Sequence, residues 1–102
     1  LDMPPYSSLC MLRAVSPNSK SSFDFLRRAS KFLDKKKDIS TTGPLPSIPF
    51  KINGNTRNHL IIKSSAKVYL NKILKNLTKE IESWPERKKV KWSFDIDPYE
   101  MT

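Results

Sequence analysis

The chain has 102 residues, which is enough for one domain with its own core but not for two. Hydrophobic residues make up 37% of it and charged residues 28%, a balance typical of a small soluble globular protein rather than a disordered chain. Nineteen lysines and arginines against 10 acids give a formal net charge of +9. This excess predicts an anionic partner, which would be nucleic acid, an acidic protein or an anionic lipid.

Several protein classes are disfavoured by what the sequence lacks. No apolar run approaches the roughly 18 residues of a membrane-spanning helix, so we expect no membrane partner. A single cysteine, Cys10, excludes an intramolecular disulfide and a multi-cysteine zinc site, and favours a reducing, cytoplasmic location. The chain does not begin with methionine, and we therefore expect a fragment of a longer protein.

The first part of the chain predicts a strand and then a helix. Residues 9–15 are mostly apolar and read as a buried strand, which the turn at residues 16–20 follows. Residues 22–37 carry apolar side chains at helical spacing, and either Ser19 or Ser21 is expected to cap this helix.

The middle of the chain predicts a β-hairpin. Three prolines at positions 44, 46 and 49 exclude a helix there and favour an extended edge strand. The dipeptide Asn53-Gly54 is a strong signal for a two-residue hairpin turn. We therefore expect residues 48–52 to pair with residues 58–63.

A second helix and a last strand complete the pattern. Ser64 and Ser65 are expected to cap a helix over residues 66–84, which Pro85 ends. Residues 90–96 alternate, so that Val90, Trp92, Phe94 and Ile96 share one face. We expect Trp92 to be buried between the sheet and the helices.

The resulting order, β-α-β-β-α-β, predicts an α+β, ferredoxin-like sandwich. In this fold a four-stranded antiparallel sheet carries both helices on one face and leaves the other face open. Nucleic-acid-binding domains often use such a face.

Strand alternation predicts which side chains the open face carries. Both faces of the first strand are apolar, so the sequence does not decide its facing, and we place Cys10, Leu12 and Ala14 inward. Leu60 and Ile62 are expected to point inward, together with Ile48, Phe50 and Ile52 of the hairpin. The open face is then expected to carry basic residues and His59 around Met11 and Ile61. Its candidate DNA-binding residues are Arg13, Lys51, Lys63, Lys89 and Lys91, and the secondary candidates elsewhere are Arg57, Lys67 and Lys75.

The predicted open face has no aromatic residue. Base stacking on aromatic side chains is therefore disfavoured, and contact with phosphates is the better expectation. Two simpler interpretations remain open at this point: the face is merely solvated, or it docks on another domain.

No catalytic or metal-binding residue is predicted. The two glycines, Gly43 and Gly54, form no phosphate-binding loop. Asp95 and Asp97 share a strand face, but no third carboxylate is near them in sequence to complete a cation site. Cys10 and His59 have no evident catalytic partner and read as packing and surface residues.

Several segments together resemble the primosomal replication-restart helicases of the PriA family. The segment "KVKWSFDIDPYEM" is similar to the end of these proteins, in which a basic strand leads to a tryptophan and an Asp-x-Asp-Pro run. The segment "MPPYSSLCMLRA" resembles their Pro-Pro-aromatic-Ser strand. The segment "GPLPSIPFKINGNTRNHLIIKSS" resembles their Gly-Pro-x-Pro stretch and the Arg-containing strand after it, and "WPERKKVKW" also fits. The residues that carry the resemblance are Trp92, Asp95, Asp97 and Pro98, with Gly43, Pro44, Pro46 and Arg57.

The resemblance covers nearly the whole chain and is to the C-terminal domain of the family. It implies that residues 1–102 are one domain of a superfamily-two DNA helicase that recognises abandoned forks and reloads the replicative helicase. ATP and zinc would bind only in upstream domains, so no cofactor is expected here. The implied fold is similar to that of a ribosomal small-subunit protein. The implied partners are forked or single-stranded DNA, the helicase core of the same polypeptide and other primosome proteins.

Two other functions stay open on the sequence alone. One is RNA binding by a ribosomal-protein-like domain. The other is a docking module whose basic face meets an acidic partner.

Overall fold

The main elements follow one another in the predicted order β-α-β-β-α-β. The computed structural model describes residues 8–96. The elements are β1 (Ser8–Ser16), α1 (Ser19–Asp34), β2 (Ile39–Ile52), β3 (Asn55–Ser64), α2 (Lys67–Glu82) and β4 (Lys91–Ile96), with a 3₁₀ helix at Pro85–Lys89 before β4.

The four strands form one antiparallel sheet in the spatial order β2-β3-β1-β4. The edges are therefore β2 and β4, and the two central strands are β1 and β3. Both helices supply buried apolar residues to the core on one side of this sheet. The predicted ferredoxin-like α+β fold is confirmed.

The central strands bury every second residue. The fully buried side chains of β1 include Cys10, Leu12 and Ala14, and those of β3 include Leu60 and Ile62. Because side chains alternate between the two faces of a sheet, the residues between them lie on the open face. The predicted facing of these two strands is confirmed.

The helices pack a continuous apolar stripe against the sheet. Helix α1 begins earlier than predicted because Asn18 caps it: the Asn18 Oδ1 atom accepts the Lys20 backbone N–H at 2.7 Å. The predicted caps Ser19 and Ser21 lie inside the first turn. Helix α2 starts after Ala66 without a side-chain cap. No helix within residues 8–96 is long and apolar enough to cross a membrane.

The hairpin turn at Asn53 and Gly54 forms as predicted. Both residues have positive φ angles, 52° and 81°. This conformation is that of the tight turn that matches strand twist, and Asn-Gly is the sequence that favours it. Ile52 and Asn55 close the turn as directly paired neighbours.

The pairing predicted for the hairpin is wrong beyond the turn. Strand β2 starts at Ile39, and its first residues pair with the end of β3, Ile39 with Ser64. Register shifts occur between Thr42 and Leu45 and again between Pro46 and Lys51. Bulges of this kind place extra residues on one strand and change which face the following residues occupy.

The facing predicted for β2 is therefore also wrong. Ile48, Phe50 and Ile52, predicted to point inward, are 96%, 41% and 43% exposed. Lys51 lies opposite Thr56, whose buried side chain is on the helical side, so Lys51 is not on the open face.

Trp84, and not Trp92, is the tryptophan at the centre of the core. Trp84 is 1% exposed, and its ring meets that of Phe25 edge-on, with 5.5 Å between centroids. Trp92 does point to the core side and packs near Phe25 and Phe94, at 6.2 and 5.6 Å. It is only half-buried because β4 is an edge strand. Val90, at 6% exposure, precedes the strand.

Replacing the two tryptophans by alanine should have unequal effects. Trp84→Ala should lower the free energy of unfolding by about 3–5 kcal/mol, as large-to-small changes in cores do. Trp92→Ala should lower the free energy of unfolding by clearly less, because part of the Trp92 ring is already in contact with water. Urea unfolding followed by circular dichroism measures both, with Phe23→Ala as a control at a 38% exposed aromatic residue on α1. A larger loss for Trp92→Ala would contradict this assignment of the core.

Candidate nucleic-acid interface

Strand register arranges the open face into cross-strand rows. Residues directly opposite each other on neighbouring strands have side chains on the same face. From one end of the sheet to the other, the rows on β3, β1 and β4 are Arg57–Val15–Lys91, His59–Arg13–Ser93, Ile61–Met11–Asp95 and Lys63–Leu9. The rows on these three strands contain no phenylalanine, tyrosine or tryptophan, but Phe50 of β2, 41% exposed, alternates with Lys51 and so faces the open side, contrary to prediction.

The first row carries the concentrated positive charge. Arg57 and Lys91 flank Val15, so two strand spacings place their Cα atoms about 10 Å apart. A cavity of about 250 Å³ beside this row is lined by both cations, with Arg13 and Ser47. We call the row Arg57–Val15–Lys91 the basic end of the open face.

Arg13, a primary DNA-binding candidate, is held in an ion pair. Its Nε and Nη2 atoms donate to the same oxygen, Asp95 Oδ2, at 3.1 and 2.7 Å. The pair runs diagonally from β1 to β4, and both side chains keep some contact with solvent. The charge of Arg13 is therefore largely compensated, and the positive charge of the open face shifts toward its basic end.

The proline-rich segment of β2 contacts the open face beside the basic end. Ser47 Oγ lies 3.0 Å from His59 Nδ1, and Arg57 Nη1 donates to the Pro49 carbonyl at 3.0 Å. Burial lowers the pKa of His59 from its ordinary value, and the nearby charges of Arg13 and Arg57 lower it further. His59 thus has a partner that the sequence did not reveal, because the contact depends on the bulges in β2.

The other candidates do not form one surface with the basic end. Lys63 lies in the last row, opposite Leu9, about 20 Å along β3 from Arg57. Lys51 lies on the other side of the sheet, as described above. Lys67 and Lys75 are exposed on α2, on the helical side.

Lys89 does not belong to β4, contrary to prediction. A 3₁₀ helix begins at Pro85, which suits a helix's first turn, and continues through Lys89. Strand alternation therefore begins at Lys91, which does lie on the open face. Lys88, which the sequence reasoning missed, is brought close to these two lysines by the same short helix.

Chemical catalysis finds no support in the described residues. Burial raises the pKa of the Cys10 thiol to about 12, so this thiol is not a nucleophile near neutral pH. Within residues 8–96 no group of three histidine, cysteine or acidic residues is placed to hold a metal. Two residues of the sequence motifs lie outside the described residues. They are Asp97, of the predicted acidic pair, and Pro98, of the Asp-x-Asp-Pro run.

The comparison with known families identifies the domain. The model of the primosomal protein N C-terminal domain matches residues 1–99. This chain belongs to that family. It is also 31% identical over 102 residues to the replication restart protein PriA of Buchnera aphidicola subsp. Acyrthosiphon pisum (strain APS), covering 94% of this chain and 14% of the relative. The predicted family is confirmed, and this PriA domain is a non-catalytic part of the protein.

Two solved structures share the fold at low sequence identity. The de novo designed protein Foldit4 has a TM-score of 0.64 and 12% identity, covering 88% of this chain and 94% of its own. The C-terminal DNA binding domain of the MHV-68 latency-associated nuclear antigen has a TM-score of 0.59 and 14% identity, covering 94% of this chain and 76% of its own. At these identities the likeness concerns the fold alone.

The lowered pKa of His59 predicts a pH dependence of stability. A histidine whose pKa is lower folded than unfolded binds protons more readily when unfolded, so stability should fall as pH drops through its ordinary value of 6.5. His59→Gln should remove this contribution, because glutamine does not titrate. The free energies of unfolding of both proteins, measured at about pH 8 and about pH 5.5, check the expectation. An equal change in both proteins over this interval would contradict it.

Proposed function

We propose that this chain is a DNA-binding domain of a replication-restart primosomal helicase and contacts the phosphate backbone without sequence preference. Membership of the primosomal protein N C-terminal family supports the replication-restart context. The observation that carries the DNA-binding proposal is the basic end, where Arg57 and Lys91 flank a small cavity on the sheet face opposite the helices.

The chemistry of the open face favours phosphates over bases. Its paired rows lack aromatic side chains, which are the usual platforms for stacked bases in sheet-based recognition. The cations of its basic end are a lysine and an arginine, which bind backbone oxygens irrespective of sequence. A net charge of +9 adds long-range attraction for a polyanion.

The substrate we propose is branched or single-stranded DNA, as found at an abandoned replication fork. The matched relative is named a replication restart protein, and this chain spans 14% of its length. In the proposed parent, the domain adds affinity while ATP-driven unwinding resides elsewhere in the polypeptide. Its further partners would be the helicase core and other primosome proteins, in the cytoplasm.

A salt titration of the 102-residue chain tests the DNA-binding proposal. For forked and single-stranded DNA, the logarithm of the binding constant should fall linearly with the logarithm of the salt concentration. Each phosphate neutralised on duplex DNA contributes roughly −0.9 to the slope. Fluorescence anisotropy measures the series, and fluorescent oligonucleotides of different sequence should bind equally. Affinity that does not change between low and moderate salt would contradict the proposal. Clearly tighter binding of single-stranded RNA of equal length would favour the ribosomal-protein-like alternative.

A second function, docking on the body of the parent polypeptide, is favoured by the exposed apolar side chains of β2. Four of them lie between residues 45 and 52 of this edge strand: Leu45, Ile48, Phe50 and Ile52 are 37%, 96%, 41% and 43% exposed. An apolar cluster of this kind on a small basic domain is typical of a protein contact. The proposed occupant is the remainder of the polypeptide to which the domain is joined.

Hydrogen exchange distinguishes a docked β2 from a solvated one. The amides of residues 47, 48 and 50–52 should exchange more slowly in the full-length parent than in the 102-residue chain, because docking excludes water from this edge. Ile48→Ser should remove this protection in the parent. The matched control is Val68→Ser at the start of α2, an 83% exposed apolar residue at the end of the sheet where β2 begins, whereas residues 47–52 lie toward its other end. Equal exchange in the parent and the isolated chain would contradict docking through β2.

A further inference from the structure

A basic cleft lies at the end of the sheet and shares Val15 and Lys91 with the basic end. Its volume is about 740 Å³. It opens between the turn that joins β1 to α1, the start of β3 and the junction of the 3₁₀ helix with β4. Three lysines and three neutral polar residues line it: Lys88, Lys89 and Lys91, with Asn18, Ser21 and Asn55.

The three lysines have no acidic partner among residues 8–96. Ion pairs in this part of the chain involve Arg13, Lys20 and Arg28 instead. No acidic residue lines the cleft, and the first turn of α1 beside it also contains none. The cleft therefore concentrates uncompensated positive charge, to which the N-terminal end of the α1 dipole adds.

The 3₁₀ helix holds the lysines in this position. The buried Trp84 fixes its start, and Val90, at 6% exposure, fixes its end. The Val90 N–H donates to the Arg87 carbonyl at 3.3 Å, which closes the last turn. Lys89 and Lys91, on either side of the buried valine, are both directed away from the core and line the cleft.

The opposite wall presents neutral hydrogen-bond donors. Asn18 uses its Oδ1 atom to cap α1, which leaves its Nδ2 group as an outward donor. The Ser21 hydroxyl and the Asn55 amide have no hydrogen-bond partner within the described part of the chain and line the same space. An anion with several oxygens would meet ammonium groups on one side and neutral donors on the other.

We infer that this cleft binds a backbone phosphate of a DNA strand, with Lys88, Lys89 and Lys91 contacting its free oxygens. The inference rests on the proposed DNA-binding function and locates its principal contact. Lys91 and Val15 line both the cleft and the cavity of the basic end. A strand held in the cleft therefore continues across the first row of the open face toward Arg57.

Neutralising the cleft tests this assignment. Lys88→Gln combined with Lys89→Gln should weaken binding of forked and single-stranded DNA by about tenfold or more at low salt. The slope of the salt dependence should become shallower by about 1 for each phosphate that the variant no longer neutralises. The matched control, Lys72→Gln with Lys79→Gln, removes the same charge from the exposed side of α2 and should weaken binding less than about threefold with an unchanged slope.

Thermal unfolding separates an effect on binding from an effect on folding. Lys88 and Lys89 are exposed, and three neighbouring ammonium groups repel one another, so the cleft variant should melt at or slightly above the temperature of the unaltered chain. If the cleft variant melts lower, Lys91→Gln alone provides the same test of binding with a single exposed residue, and unaltered DNA affinity for it would overturn the inference.

The outcomes distinguish this inference from the function on which it rests. If the unaltered chain shows no salt-dependent DNA binding, the proposed function is wrong. If it binds and both double variants lose affinity equally, the function stands and the cleft assignment is overturned. Inorganic phosphate that competes with DNA in the unaltered chain but not in the cleft variant would support the cleft as the phosphate site. Tight phosphate binding that leaves DNA binding unaffected would overturn it.

Discussion

The packing of Trp84 connects the core of this domain to its charged surface. Its indole fills the space beside Phe25 and donates from Nε1 to Glu80 Oε2 at 3.2 Å, which fixes the end of α2. The Arg28 guanidinium lies 4.7 Å from the ring centroid and also pairs with Glu86 in the 3₁₀ helix. One side chain thus joins α1, α2 and the segment that carries Lys88 and Lys89. The packing of Trp84 therefore determines where those two lysines lie.

The parts of the fold that depend on local periodicity are predictable from the sequence. Both helices carry unbroken apolar stripes and turn residues bound the strands, so the order and type of these elements can be read from the residues. The facing of β1 cannot, because both of its faces are apolar. Strand β2 is different, because two register shifts separate residues that pair normally. A bulge arises from the fit between two strands and leaves no periodic signal in either one. Gly43 gives a partial signal: its φ is 120°, and an added Cβ would lie 3.0 Å from the His59 carbonyl oxygen.

The candidate site is predictable only in part for a related reason. Lys91 belongs to a short alternating strand and is therefore predicted correctly, whereas Lys89 is misplaced and Lys88 missed because the preceding residues form a 3₁₀ helix. The partner of Arg13 is 82 residues away in sequence, so its compensated charge depends on the order of strands in the sheet. A count of basic residues therefore overstates the charge available on the open face, and tertiary pairing decides which cations remain for a ligand.

The prolines of β2 determine how another polypeptide can meet this edge of the sheet. Pro44, Pro46 and Pro49 have no backbone N–H, and the outer edge of β2 faces no other strand within residues 8–96. A sheet edge deficient in donors is a poor template for adding a strand, even when apolar side chains such as Ile48 are exposed on it. These prolines therefore disfavour strand exchange and edge-to-edge aggregation through β2, although apolar side chains are exposed on it. Any protein that binds here must recognise side chains, because the backbone offers too few hydrogen bonds for β-augmentation.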